Sequence, residues 1–144
     1  MSENTKESNN GEKISSPGMF IKFNYLEVKD LSKSFLTLVS GILAFSVTFS
    51  STIIGFTNAS ILQIVFLITS WLFLIVAIVA AGGGIYANFV SANKANKAIM
   101  QGKEQEIGFK TLVKWPYALL NVAGVAFVIG LILLALAGFA KFIR

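Results

Sequence analysis

The densest set of groups able to do chemistry in this sequence is hydroxylic: Thr37, Ser40, Ser46, Thr48, Ser50, Ser51 and Thr52 fall within sixteen residues. A serine or threonine becomes a nucleophile only when a neighbouring base takes its proton. The chain contains no histidine and no cysteine, which removes the commonest base, the commonest nitrogen ligand for transition metals, and every thiolate site. The seven carboxylates are Glu3, Glu7, Glu12, Glu27, Asp30, Glu104 and Glu106, and they lie outside the apolar runs, as do all the lysines. Proton relays, ion-coupled transport and intramembrane proteolysis need an ionisable group at depth. The expectation is a non-enzymatic protein with no catalytic residue, no metal site and no cofactor.

Two uses remain for the hydroxyls. Ser46 and Ser50 share a helical face, with Ser40 less well aligned. Such a face can line a water-filled path, or each hydroxyl can bond to its own backbone carbonyl one turn earlier. Ser40, Ser46 and Ser50 are therefore candidates for pore lining or helix contact. Small residues recur at similar spacing: Ala77, Ala80, Ala81 and Gly84 on one face, Ser40 with Ala44, Ser51 with Gly55, and Ala126 with Gly130. These spacings let helix backbones approach closely in lipid, within one chain or between copies. The run Gly82-Gly83-Gly84 lacks the strand and the Lys-Ser/Thr ending of a phosphate loop. It is a candidate hinge or a packing surface.

The elements that carry these residues are three long apolar blocks. Hydrophobic residues make up 55% of the chain and charged residues 13%, about half the charge of a soluble domain. Residues 35–56 form an uncharged run of 22, about 33 Å as a helix, against a hydrocarbon core of about 30 Å. The other spans are read at 61–87 and 117–140. The fold expected is all-α, an integral membrane protein with three transmembrane helices. The four residues Thr57 to Ser60 force the first two into a tight helical hairpin. Asn58 or Ser60 is expected to cap the second helix.

Around the spans, residues 1–18 read as a disordered polar tail and 19–34 as an amphipathic juxtamembrane segment, with Ile21, Tyr25, Val28, Leu31 and Phe35 at helical spacing. The stretch from Ile21 to Tyr25 also alternates like a short strand. Residues 88–116 read as a helical stem that stops at Gly102, followed by a short loop. Lys114, Trp115 and Tyr117 are candidate interface anchors, with Pro116 in the first turn of the third span.

Lysines set the orientation. Lys6, Lys13, Lys22, Lys29 and Lys33 precede the first span; Lys94, Lys97, Lys103, Lys110 and Lys114 lie between the second and third. By the positive-inside rule the N-terminus and the stem are cytoplasmic and the C-terminus lies outside the cell (plasma or inner) membrane. The net charge of +5 is spread beside the spans and carries a single arginine. It fits attraction to anionic headgroups rather than nucleic acid. The partners expected are the lipid bilayer and either another copy or another membrane protein. The richness in Lys, Asn, Ile and Phe fits a bacterial source.

In size and number of spans the chain resembles phage holins, a resemblance that implies oligomerisation into a membrane lesion. The outward C-terminus departs from the charged cytoplasmic C-terminus of that pattern, so no residue role is carried over. Two functions are expected from these features. One is an accessory subunit or membrane anchor acting through helix association. The other is a homo-oligomeric pore or membrane-disrupting effector whose Ser/Thr-rich first span faces water.

Overall fold

The computed structural model describes residues 15–54, 60–103 and 106–139. The expected polar tail to Ile14, the hairpin turn with Asn58, and Gly55 lie outside them. Among the described residues the protein is helical throughout, without strands, and three of its helices are long and apolar enough to cross a membrane.

The first helical stretch begins at Ser16, three residues before the amphipathic pattern starts. Ser15 caps it, its hydroxyl accepting the Gly18 N–H at 3.3 Å, and Pro17 sits in the first turn, where a missing N–H costs nothing. A short α1 (Ser16–Met19) leads into a π-helical turn at Phe20–Asn24 and then α2 (Tyr25–Thr48). The strand-like alternation from Ile21 to Tyr25 is thus wound into the π turn, where the Tyr25 N–H reaches back five residues to the Phe20 carbonyl. Phe49 leaves helical geometry at φ −100°, ψ 16°, and α3 (Ser50–Ile54) follows.

Helix α4 (Ile61–Met100) opens with a reciprocal cap: the Ser60 N–H donates to Gln63 Oε1 at 2.9 Å, and the Gln63 N–H to Ser60 Oγ at 3.3 Å. Its 40 residues make a rod of about 60 Å, twice the core thickness of a bilayer. It ends where the sequence predicts. Gly102 adopts φ +66°, the left-handed conformation that L side chains avoid. That turn lets the Gly102 N–H reach the Ile99 carbonyl at 3.2 Å and the Lys103 N–H reach Ala98 at 2.9 Å.

Helix α5 (Phe109–Phe139) starts earlier than expected, so Pro116 lies within it rather than in its first turn. Pro116 has no N–H for the Leu112 carbonyl, and the lost ladder bond is tolerated at this one point. Helix α4 is the central member. It packs most extensively on α5 and less extensively on α2, while α2 and α5 scarcely meet. The contacts with both neighbours run antiparallel: Tyr25 and Ser46 of α2 meet Asn88 and Trp71 of α4, and Pro116 and Gly130 of α5 meet Gly84 and Ser70.

The distribution of side chains between inside and outside inverts what water dictates. Buried positions of α4 are mostly small or polar, such as Ser70, Ala77, Ala80, Ala81 and Gly84, with Leu67 and Leu74 as the large exceptions. Its exposed positions carry Leu72, Ile75, Val76 and Val79, the last 68% exposed. A helix that is apolar all round is either at the centre of a large protein or in lipid.

Candidate functional site

Three stations hold α4 to α5. At the first, the Ser70 hydroxyl donates to the Gly130 carbonyl at 2.8 Å, a buried bond between residues sixty positions apart. A Cβ on Gly130 would stand 3.1 Å from Leu74 Cδ2 and 3.4 Å from the Ser70 carbonyl, so only glycine fits without movement. At the second, Ala77 and Ala81 are fully buried and pack in clusters with Ala126 and Ala123 of α5. At the third, Gly84 faces the Pro116 carbonyl and the Leu119 Cβ, where an added Cβ would lie 3.7 Å from each. Ala77, Ala81 and Gly84, candidate contact residues in sequence, are all placed in this seam. Across the glycine run the helix continues unbroken: Gly82 is exposed to open space, Gly83 touches the Leu119 side chain, and Gly84 is buried.

The hydroxyls of α2 are divided. Ser46 is fully buried; its Oγ donates to the Leu43 carbonyl at 2.9 Å and accepts the Trp71 indole N–H at 3.1 Å, tying α2 to α4. Ser50 is half-buried at the start of α3, and Ser40 is exposed. The three are therefore not brought together on one open face. Thr37 and Thr48 spend their hydroxyl protons on the Lys33 and Ala44 carbonyls, at 3.0 and 2.8 Å.

What α2 leaves open is a stripe of small residues. Thr37, Ser40, Gly41, Ala44 and Thr48 lie along one side of the helix, and all are exposed. A Cβ on Gly41 would meet nothing within 4 Å. Helix α2 has room here for the backbone of another helix.

At the other end, Asn88 is 1% exposed and donates its amide to the Tyr25 carbonyl at 3.1 Å, while Asn24 donates to the Tyr117 hydroxyl at 3.0 Å. Together with Phe20, packed among Ala92, Ala95 and Leu112, these bonds fasten the N-terminal stretch to α4 and α5. Of the three expected anchors, Lys114 and Trp115 are exposed, whereas Tyr117 also serves this link. Sequence reasoning missed Ser70 and Asn88. Each is a polar residue on an otherwise apolar face, and that was the available signal.

No family model matches the chain, and neither does any curated protein or solved structure. Its function has to come from the geometry. That geometry comprises one closed small-residue seam inside the chain and one open small-residue stripe on its outside.

Proposed function

We propose that the protein is a multi-pass protein of the cell membrane that works without catalysis, by helix association, as an accessory subunit or an anchor for a partner. The observation that carries this reading is the open stripe on α2. In lipid, apolar surface alone gives helices no reason to meet, so association relies on close backbone approach at small residues. The chain already uses that device between α4 and α5. On α2 the same device is unspent, because Ser40, Gly41 and Ala44 are exposed.

Membrane residence is supported by the three long apolar helices and by the large apolar side chains on their outer surface. Ten lysines flank one side of the spans, which supports a cytoplasmic N-terminus and stem, an outward C-terminus, and a hairpin joining the first two spans. The test is energy transfer between donor- and acceptor-labelled copies in phosphatidylcholine vesicles. Transfer above the random level is expected from the native chain, and Ala44→Phe abolishes it while Val79→Ala does not. Equal transfer in all three chains would refute the α2 face.

A second reading draws on the same stripe. Copies meeting around an axis lined by Ser40 and Thr37 would form a pore, and that reading predicts release of an entrapped dye that Ser40→Leu suppresses. No release at any protein density would leave association as the function.

A further inference from the structure

The ends of α4 and α5 carry two packing surfaces. On one, Phe20, Ile21 and Tyr25 cover Ala92, Ala95 and Leu112. On the other, a groove of about 370 Å³ lies open between Tyr86, Val90 and Lys94 of α4 and Thr111, Trp115 and Leu119 of α5. At 3.6 residues per turn, Ala92 and Ala95 sit on a different face of α4 from Tyr86, Val90 and Lys94; Leu112 and Ile107 belong to both surfaces, which share that edge, and no residue of Ser16–Tyr25 lines the groove. Its volume falls within the range of small-ligand sites, roughly 300–1,000 Å³.

The walls are graded along their length. From Tyr86 to Lys94 the groove runs about 12 Å along α4. Leu119, Val90 and the rings of Tyr86 and Trp115 supply an apolar floor, and Lys94 and the Thr111 hydroxyl supply a cation and a donor farther along the stem. The connection around it, residues 88–116, carries five lysines against two carboxylates. Trp115 is 67% exposed and Tyr86 69%, the side chains that settle at headgroup depth. Such a surface complements a molecule with one anionic end and one hydrocarbon end.

We propose that this groove is a binding site for an anionic phospholipid of the cytoplasmic leaflet. The acyl chain lies along Leu119 and the rings of Tyr86 and Trp115, and the phosphate sits at Lys94 with the Thr111 hydroxyl as a donor. The assignment rests on the reading that these helices stand in lipid with the stem in the cytoplasm. Lys94 then selects the lipid by charge, in the manner of basic pockets between membrane helices.

The test uses the full chain carrying Trp71→Phe, which leaves Trp115 as the sole tryptophan, with helicity checked by circular dichroism. It is placed in phosphatidylcholine vesicles containing, as a minor component, either phosphatidylglycerol or phosphatidylcholine with brominated acyl chains. Brominated phosphatidylglycerol should quench Trp115 at about fivefold lower mole fraction, the factor one lysine at an anionic surface supplies. Lys94→Gln should bring the two lipids level, and Lys97→Gln, exposed on the same helix but outside the groove, should keep the preference.

Equal quenching by both lipids, or equal effects of the two lysine changes, overturns the site while leaving the protein in the membrane. Absence of quenching by either lipid overturns membrane residence as well. Quenching that falls as protein density rises assigns the groove to a second copy and overturns the lipid.

Discussion

Along the α4–α5 seam, Ser70, Ala77, Ala81 and Gly84 are buried against a second helix of the same chain; on α2, Ser40, Gly41 and Ala44 are of the same residue types and face outward. The seam is closed to the point where Gly130 has no room for a methyl group, while Gly41 has nothing within 4 Å of where one would be. Helices in lipid gain little by hiding apolar surface, and what holds them is fit. A small-residue stripe is thus a statement of how closely a neighbour can come, and leaves open whether that neighbour is in the same chain. The difference between the two surfaces separates what folds the molecule from what the molecule offers.

The sharpest way to break the comparison is to remove the knob at the seam. Leu74 is fully buried and touches Gly130; Leu74→Ala should destabilise the fold by about 2 kcal/mol or more through the cavity it leaves. Leu72→Ala, on the exposed face, should stay within about 0.5 kcal/mol. Steric-trapping measurements of unfolding in bicelles would read both. Equal costs would mean that the inner and outer faces are not distinguished.

Next in size is Gly130→Ala. The new Cβ would lie 3.1 Å from Leu74 Cδ2, so the leucine must shift, at a cost of about 1–3 kcal/mol. In a double-mutant cycle with Leu74→Ala the two costs should fall short of additive, because the smaller side chain removes the clash. Strict additivity would dissolve the contact. Ser70→Ala, which deletes the hydrogen bond to the Gly130 carbonyl, should cost about 0.6 kcal/mol, the usual worth of such a bond between membrane helices.

The smallest effect belongs to Gly84→Ala. Its Cβ would meet Leu119 and the Pro116 carbonyl at 3.7 Å, ordinary contact distance, so the change should stay within about 0.5 kcal/mol of neutral. A large loss there would show that the seam is tight along its whole length and not only at Gly130.

Much of the scaffold was legible in the residues. Uncharged length placed the second and third long helices, Ser60, one of two expected caps, opens α4, and Gly102 ends it; the first span, expected as one helix over residues 35–56, is instead broken at Phe49, where the backbone leaves helical geometry between α2 and α3. The division of faces was not. Face assignment from sequence depends on contrast between apolar and polar residues, and along α4 both faces are apolar in the 61–87 stretch, so periodicity carries almost no signal. Ser46 and Ser50 share a face by spacing, yet Ser46 is fully buried against Trp71 and Ser50 lies half-buried beyond the break at Phe49. Pro116 read as a first-turn residue because prolines favour that position, whereas Phe109 to Trp115 extend the helix on its N-terminal side. Ile21 to Tyr25 fits both helical spacing and strand-like alternation, and five residues are too few to separate the two periods; the chain there is helical, as a π turn over Phe20–Asn24.

The most direct test of the account is disulfide scanning along α2. The chain has no cysteine, so each substitution introduces the only thiol. In native membranes under mild oxidation, linked species of one defined mass should peak at Ser40, Gly41, Ala44 and Thr48 and be absent at Val39 and Ser46, which lie on the opposite face of the same helix, buried against α4. Equal linking at Val39 and Ser46, or none at any position, would contradict the claim that this stripe is where the protein meets its partner.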